Sequence, residues 1–349
     1  MRPRRAQKPN VRLLDYVVGH VRATGADIDI PNTYKQVRAS KHWPQWRAAM
    51  LTELKLLSDH KTWRLVSRAK AKKSKVITCR WVFAVKRDER GRVKRFKARL
   101  VIHGFKQELG VNYTETYAPV IRFETIRAAI YYAMQRGWEV LQYDVKTAFL
   151  YGALDELIFM EQPPGFQVDG PGLVCELLKS LYGLKQAPNI WNRTLQAKLL
   201  TMGFERLDSD YGLYVLMVNG EVKLLLTVYV YELLLMGPRE KCLEVAASLQ
   251  ETFELTTMGT VKYLLGVEIL INRPQREIVY SQRQYIIEVL KRFHMCDCNR
   301  CATPDATTPS TATVAAATGY LPYRELVGAL QYLVSAPRPD IAHATRHRG

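Results

Sequence analysis

The chain has 349 residues, of which 48% are hydrophobic, so it is long enough to bury a sizeable core, and disordered or collagen-like chains are excluded. Its six cysteines are too few and too irregularly spaced for a disulfide scaffold, and no apolar signal peptide begins the sequence, so we expect a reducing compartment. The excess of 51 Lys and Arg over 33 Asp and Glu gives a net charge of +18, which favours a polyanionic partner, with nucleic acid first, over an acidic small molecule.

The first predicted elements follow a basic amino-terminal stretch. Residues 1–39 show no sustained hydrophobic periodicity, so we interpret them as a tail or linker. Apolar residues first recur at helical spacing in residues 46–57, which predicts a helix. Residues 63–66 then have the composition of a strand.

A basic β-hairpin is predicted next. Residues 76–85 are rich in β-branched and aromatic residues, residues 88–91 supply a turn, and residues 96–102 form the second strand. The surrounding segment, 70–106, contains fourteen Lys or Arg but only two acidic residues. Such a run indicates a nucleic-acid contact, with a merely solvated basic face as the alternative.

The middle of the chain alternates helices and strands. Residues 125–135 predict a helix, and the short apolar strand predicted at 140–145 carries Asp144 near its end. The proline- and glycine-rich residues 162–172 predict a loop, and residues 191–202 predict a further helix.

Two apolar runs, 223–230 and 233–236, nearly touch. We predict a tight hairpin with Tyr231 and Glu232 at its tip, because two polar-capable residues between β-rich runs suit a turn, and a buried helix is the alternative. The apolar stretch 224–237 is shorter than the roughly 18 residues that a membrane helix needs and contains Glu232, so we expect a soluble protein.

The carboxy-terminal part is predicted to contain two strands, at 267–271 and 278–280, and helices at 284–293 and 323–335. Between those helices, the Ala-, Thr- and Pro-rich residues 302–318 predict a linker.

Four segments carry a more specific signal. They are residues 97–101 (KARLV), 113–120 (YTETYAPV), 144–152 (DVKTAFLYG) and 180–188 (SLYGLKQAP). In sequence, order and spacing these segments resemble the reverse transcriptase of copia-type retrotransposons. The resemblance extends from Trp46 to Ile341, about 300 of the 349 residues.

This resemblance implies an α+β right-hand polymerase fold, with fingers at about 40–135, a palm with an antiparallel sheet at about 136–270 and a partial helical thumb at about 271–345. It implies an RNA template, a DNA primer and deoxynucleoside triphosphates (dNTPs) as partners, no membrane, and an intracellular location in a cytoplasmic particle or the nucleus. The capsid, integrase and ribonuclease H modules of the family's polyprotein are missing from the sequence. We therefore interpret the chain as a fragment or a decayed copy.

The resemblance also implies a metal-dependent site. In this family, palm carboxylates hold two divalent ions, Mg²⁺ or Mn²⁺, and Asp144 matches the first of these ligands. The family carries Tyr-Val-Asp-Asp where this chain has Tyr229-Val230-Tyr231-Glu232. Tyr231 puts a neutral phenol in place of an acid, and the extra methylene of Glu232 moves its carboxylate by about 1.5 Å. The catalytic positions are then Asp144, Tyr231 and Glu232, the remaining metal ligands are Asp144 and Glu232, and we expect impaired catalysis.

Further positions match nucleotide-binding residues of the family. Lys97 and Arg99 resemble fingers residues that clasp the triphosphate, and we expect one of the two to do so. Phe149 matches the ring that lies against the sugar and excludes a 2′-hydroxyl. Gly183, Lys185 and Gln186 match a loop beneath the nascent base pair, where glycine permits close backbone approach and lysine can meet phosphate.

Two other groups could carry chemistry. His294, Cys296, Cys298 and Cys301 crowd potential zinc ligands into eight residues, but no second pair lies at finger-like spacing, so zinc is disfavoured. His103 follows the basic strand and either contacts phosphate or is structural, the latter being favoured.

Two hypotheses follow for function. The chain is either an RNA-directed DNA polymerase domain with an altered metal site, or a non-catalytic nucleic-acid-binding remnant that keeps the basic fingers.

Overall fold

The computed structural model describes residues 28–71, 74–87, 92–299, 301, 303–304 and 322–347. These residues form eight α-helices and fifteen β-strands, so the predicted α+β class is confirmed. They divide into two compact units, one made of residues up to 125 together with 138–259, and the other of residues 126–137 together with those from 260 onward. Each unit is described by itself.

The larger unit begins with a short helix, α1 (Tyr34–Ala39), at the end of the segment predicted to be a tail. Thr33 and Gln36 form a capping box at its start, a local signal that hydrophobic periodicity does not detect. The predicted helix at 46–57 is confirmed as α2 (Trp43–Asp59), and strand β1 (Trp63–Ser67) follows.

The basic hairpin is confirmed. After the short strand β2 (Val76–Ile77), strands β3 (Cys79–Arg87) and β4 (Val93–Ile102) pair in antiparallel register. One face of β4 is buried through Ala98, Leu100 and Ile102, and the intervening residues share the opposite face. The predicted turn at 88–91 lies outside the described residues.

The next elements are helix α3 (Phe123–Gln135) and strand β5 (Glu139–Val145), both predicted, and strands β6 (Ala153–Met160) and β7 (Leu173–Lys179), which were not. Strands β1, β7, β6 and β2 form a four-stranded sheet in that order. The predicted loop at 162–172 connects β6 to β7.

A six-stranded sheet contains the chain's central hairpin. The elements after β7 are α4 (Ala187–Thr201), β8 (Phe204–Arg206), β9 (Leu213–Val218), β10 (Glu221–Tyr229), β11 (Glu232–Gly237), α5 (Arg239–Gln250) and β12 (Leu255–Thr260). The sheet has the strand order β12-β5-β11-β10-β9-β8, and buried side chains of α4 and α5 share its hydrophobic core. The hairpin prediction is confirmed and the buried-helix alternative is wrong.

The tip of this hairpin differs from the prediction by one residue. Tyr229 pairs with Glu232, so the turn is Val230-Tyr231, and Glu232 is the first residue of β11. The backbone of Val230 has φ 55°, and its carbonyl accepts a 2.6 Å hydrogen bond from Trp191 Nε1 on α4. Glu232 therefore belongs to a strand and not to the turn, because it pairs with Tyr229 on β10 and with Asp144 on β5.

The smaller unit contains most of α3, a three-stranded sheet and three further helices. The strands are β13 (Tyr263–Leu264), β14 (Val267–Asn272) and β15 (Glu277–Ser281), and the helices are α6 (Arg283–Arg292), α7 (Tyr323–Val334) and α8 (Ala342–His347). Tyr285 on α6 packs edge to face against Tyr332 on α7, with ring centroids 4.9 Å apart. Most of the predicted linker at 302–318 lies outside the described residues. In the described part of the chain, every helix is too short or too polar to cross a membrane.

Candidate active site

The acidic end of the site is built by two neighbouring strands of the six-stranded sheet. Asp144 on β5 lies directly opposite Glu232 on β11. The Val145 amide donates a 2.9 Å hydrogen bond to the Tyr231 carbonyl, which makes Val145 and Tyr231 a hydrogen-bonded pair. The next pair, Asp144 and Glu232, is then of the non-hydrogen-bonded kind, in which facing side chains approach most closely. The two predicted metal ligands are therefore brought together.

The two carboxyl groups are hard to ionise together. Burial raises the pKa of Glu232 to about 7, and the negative charge of Asp144 adds to this shift. Burial also raises the pKa of Asp144, although the positive charges of Lys97, Arg99 and Lys86 oppose the change. The Oε2 atom of Glu232 is buried and has no hydrogen-bond partner among the described residues. Near neutral pH, Glu232 is therefore divided between its protonated and ionised forms.

Tyr231 supplies no negative charge between these acids. Burial raises the pKa of its phenol above the ordinary value, and the charge of Arg99 opposes this only in part. Its hydroxyl consequently stays protonated at neutral pH. The possible metal ligands at the β10–β11 turn are thus the carboxyl groups of Asp144 and Glu232 and the neutral phenol of Tyr231.

This donor set does not fit a pair of divalent ions. Mg²⁺ is commonly held by one or two carboxylates together with substrate phosphates, whereas two adjacent ions require more anionic ligands than Asp144 and Glu232 provide. Across the described residues, no group of three or more His, Cys, Asp or Glu side chains is arranged to hold a metal. Cys296, Cys298 and Cys301 are exposed, free thiols.

A basic face lies next to the acids. In the register of the β3–β4 hairpin, Lys97 pairs with Ala84 and Arg95 pairs with Lys86. Paired residues and alternate residues of a strand share a face, so one face of this hairpin carries four cations: Lys86, Arg95, Lys97 and Arg99. The charges of Lys86, Lys97 and Arg99 act on Asp144. Lys97 and Arg99 therefore lie on the same face and both act on Asp144, and the expectation that one of them clasps the triphosphate stays a prediction.

Lys97 is held in an unusual environment. Burial is the main cause that lowers its pKa to about 8, and the neighbouring charges of Arg99 and Lys86 add to it. Glu53 on α2 partly offsets these causes. Glu53 is 9% exposed, and its Oε1 accepts a 3.3 Å hydrogen bond from the Leu100 amide of β4. Glu53 carries no distinguishing signal in the sequence, because its position within an amphipathic helix gives no sign of this contact.

Two aromatic rings lie between the basic face and the acidic end of the site. The Arg99 guanidinium lies 5.1 Å from the centre of the Tyr182 ring, and Phe149 meets the same ring edge to face at 5.4 Å. Phe149 is half-buried and packs against both large hydrophobic clusters of the unit. Tyr182 therefore contacts both Phe149 and Arg99, and it lies near Asp144 and Tyr231. The motif at 180–188 was the sequence signal that could have indicated Tyr182. Its position between Arg99 and Phe149 depends on tertiary contacts, which the sequence does not show.

The loop that carries Gly183 is pinned to the end of β4. The Ile102 amide donates a 2.9 Å hydrogen bond to the Tyr182 carbonyl. Gly183 has φ 97°, and a Cβ there would lie 2.3 Å from the Ile102 carbonyl oxygen. Only glycine suits this conformation and this close backbone approach.

Lys185 and Gln186 have different surroundings within this loop. Lys185 Nζ donates to Tyr113 Oη at 3.0 Å and to the Gln107 carbonyl at 3.3 Å, which accounts for two of the three donors of an ammonium group. Gln186 is 2% exposed, and its amide contacts Gln107 at 2.9 Å and the Asn112 carbonyl at 2.8 Å. The described contacts of Gln186 are thus internal, and they fix the loop against the segment after β4.

Comparison with known proteins identifies relatives over most of the chain. A family model described as "Reverse transcriptase (RNA-dependent DNA polymerase)" matches residues 60–307. The chain is 34% identical over 351 residues to the Retrovirus-related Pol polyprotein from transposon TNT 1-94 of Nicotiana tabacum, an alignment that covers 98% of this chain and 26% of that protein. It is 38% identical over 304 residues to the Pol polyprotein from transposon RE1 of Arabidopsis thaliana, covering 86% of this chain and 20% of that protein. The chain therefore spans about a quarter or a fifth of the length of these relatives.

Proposed function

The chain belongs to the reverse transcriptase family of copia-type transposons, and from this premise we propose that it binds a primer–template and a deoxynucleoside triphosphate but is impaired in DNA synthesis. The observation that carries the proposal is the pairing of Asp144 with Glu232 beside a neutral Tyr231, opposite the basic face of the hairpin. The basic face supplies the charge complement of a triphosphate, while the acids are too few for the family's two metal ions.

We propose the right-hand arrangement for this chain, with fingers at about 40–135, a palm at about 136–270 and a thumb-like region at about 271–345. The antiparallel order of β5, β11 and β10, with the acids at one end of these strands, supports the palm assignment. The paired β3 and β4 strands and their four shared cations support the fingers assignment.

Each nucleotide-site residue has a proposed role. Lys97 and Arg99 contact the triphosphate, Phe149 lies against the sugar, and Lys185 offers its remaining donor to a phosphate. The contacts of Arg99 and Phe149 with the Tyr182 ring support a shared location for triphosphate and sugar. Gln186, whose amide is bound by protein groups, positions the loop that carries Gly183 and Lys185.

An alternative is a remnant that binds nucleic acid without any residual polymerase chemistry. The altered acids favour it as regards activity, because Tyr231 provides no anion and Glu232 is only partly ionised near neutral pH. Both versions predict binding of a primer–template, so an assay of synthesis after repair of the acids distinguishes them.

Primer extension tests the proposal directly. We expect no detectable extension by the unmodified chain with Mg²⁺ or Mn²⁺, and recovery of extension in the double variant Tyr231→Asp with Glu232→Asp, because the missing anion is restored opposite Asp144. The readout is elongation of a labelled DNA primer on an RNA template. Adding Asp144→Asn to the double variant should abolish the recovered activity.

The same experiment includes a binding arm. The unmodified chain and the double variant should bind the unextended primer–template with similar affinity in the absence of dNTP, since the basic face is unchanged. Robust extension by the unmodified chain would contradict the impairment, and failure of all variants to bind the duplex would contradict the proposed function as a whole. A double variant that binds but does not extend would favour the non-catalytic alternative.

A further inference from the structure

Phe105 is unusually exposed for an aromatic side chain. It is 75% exposed, the highest value among the large apolar side chains of the described residues. A phenylalanine in water forfeits the gain in free energy that burial of its ring would bring. None of the site residues discussed above requires this ring, so its exposure calls for a separate explanation.

The backbone that presents the ring is firmly held. Phe105 lies in the short 3₁₀ turn Gly104–Lys106, directly after β4. The His103 amide donates to the Thr78 carbonyl at 2.9 Å, and Lys106 Nζ donates to Thr78 Oγ1 at 2.8 Å. On the other side, a Cβ on Gly104 would lie 2.0 Å from the Gly183 carbonyl oxygen. The ring is thus displayed by a fixed turn.

A second ring lies beside the first. The centroids of His103 and Phe105 are 5.2 Å apart, with 52° between the ring planes. His103 Nδ1 is 2.6 Å from Thr78 Oγ1, so the imidazole is tied to the hairpin by the same threonine. Burial, followed by the positive charges of Lys106 and Arg80, lowers the pKa of His103. The imidazole is therefore mainly neutral near pH 7, and the positive charge around Phe105 comes from lysine and arginine.

Aromatic rings flanked by cations are typical of surfaces that bind single-stranded nucleic acid. Bases stack on such rings regardless of sequence, while the cations follow the phosphates. The cations beside the two rings, Lys106 and Arg80, are complementary to a negatively charged partner. Charge complementarity therefore favours a polyanion over a protein. The turn also adjoins the loop containing Gly183, and Gln107 Oε1 accepts a 2.8 Å hydrogen bond from the Lys185 amide.

We propose that Phe105, with His103 beside it, is a stacking platform for an unpaired base of the template strand. This inference rests on the proposed function for the identity of the strand, and on the exposed ring and its cations for the contact itself. The base would be the template nucleotide next to the base pair at the Gly183 loop.

Binding measurements with three labelled nucleic acids test the platform. They are an RNA–DNA primer–template with an unpaired 5′ template overhang, the same duplex with a blunt end, and the overhang as a free single-stranded RNA. We expect Phe105→Ala to weaken binding of the two substrates with unpaired bases by about 5- to 100-fold, and to change binding of the blunt duplex less than about twofold. Phe105→Trp should retain the affinity of the unmodified chain.

Leu243→Ala is the matched control, because Leu243 is an exposed apolar residue on α5, 48% exposed and outside the proposed nucleic-acid surface. The melting temperature of each variant checks that the fold is intact. Equal affinity of Phe105→Ala and the unmodified chain for all three nucleic acids would overturn the platform. So would an equal loss of affinity for blunt and overhanging duplexes.

The single-stranded arm separates this inference from the proposed function. If the unmodified chain binds the free RNA through Phe105 but fails to bind either duplex, the platform is supported and the proposed function is contradicted. If it binds the duplexes and Phe105→Ala changes only the oligomeric state, the ring contacts a second copy of the chain and the platform is overturned.

Discussion

At the scale of single residues, Lys97 and Glu53 show how a cation can be kept close to buried acids. The pKa of Glu53 is raised by burial, while its hydrogen bond from the Leu100 amide and the charges of Arg99 and Lys97 act in the opposite direction. Lys97 in turn is partly stabilised by Glu53. The Glu53 carboxylate thereby fixes the backbone of β4 at Leu100 and offsets part of the repulsion among the cations on the β3–β4 hairpin.

The lowered pKa of Lys97 predicts a pH-dependent affinity for dNTP. Because this pKa is about 8, the charged fraction of Lys97 falls from about nine-tenths at pH 7 to about one-tenth at pH 9. We expect dNTP affinity to fall roughly tenfold over this range, and to stay nearly constant in Lys97→Arg, since guanidinium keeps its proton. Equilibrium binding of a fluorescent dNTP across this pH range provides the measurement. Identical pH profiles for the two proteins would contradict a role for Lys97.

The same shift has the opposite consequence for stability. A base whose folded pKa lies below its unfolded value costs stability while it is charged, and this cost is fully present below pH 8 and relieved as the pH rises toward 10.5. A triphosphate that pairs with Lys97 would use a charge that the free protein keeps at a cost, which is a common property of binding sites.

At the scale of elements, the turn between β10 and β11 stores backbone strain. Val230 is β-branched and has φ 55°, a region that such residues rarely occupy. Positive φ at the first residue of a two-residue turn is where a type II′ hairpin prefers glycine. The 2.6 Å hydrogen bond from Trp191 Nε1 to the Val230 carbonyl and the pairing of Val145 with Tyr231 hold the turn in place.

Val230→Gly should therefore stabilise the protein. Relief of strain is worth about 1–3 kcal/mol and the added backbone freedom of glycine costs about 0.5–1 kcal/mol, which leaves a net gain of up to about 2.5 kcal/mol. Chemical denaturation gives the free energy of unfolding. Val222→Gly makes the same substitution within the extended strand β10 and should destabilise the protein. A loss of stability at Val230 as large as that at Val222 would show that the turn is not strained.

The hairpin also shows what could be predicted from sequence and why the rest could not. Strand β10 was predictable from its β-branched and apolar residues and β11 from its apolar run. The predicted turn was displaced by one residue because Glu232 is polar, and a polar residue beside an apolar run is typical of a turn. Its pairing with Asp144 is a contact between distant segments, which local patterning does not encode. Tyr182 was missed for the same reason, since its two partners, Arg99 and Phe149, come from other parts of the chain.

Missed elements follow the same rule. Strands β6 and β7 have mixed burial patterns, and their apolar residues contact the core only because the two strands pair with each other and β7 also pairs with β1. The catalytic, metal and nucleotide-binding positions were reached through resemblance to a family, because Asp144 or Phe149 alone would suggest a turn residue and a core residue. Their proposed roles stay predictions.

At the scale of the whole molecule, the net charge of +18 raises the question of whether polyanion binding is local or diffuse. A diffuse excess would attract DNA or RNA to any surface, whereas the hairpin concentrates cations on a face adjacent to Asp144. The two possibilities predict different effects when equal amounts of charge are removed at different places.

Salt dependence distinguishes local from diffuse binding. Each phosphate contact releases condensed counterions, so the logarithm of affinity for a duplex falls with the logarithm of salt concentration by about 0.9 per contact. If Lys86 and Arg95 contact phosphates, the double variant Lys86→Gln with Arg95→Gln should bind a primer–template more weakly and reduce the slope by about 2. The double variant Lys223→Gln with Lys241→Gln removes the same net charge from cations that pair with Glu221 at 2.5 Å and with Glu244 at 2.8 Å. This second double variant should keep the slope of the unmodified chain, because Lys223 and Lys241 lie outside the proposed contact. Equal slopes for the two double variants would mean that binding depends on the net charge of the whole protein and not on the cations of the β3–β4 hairpin.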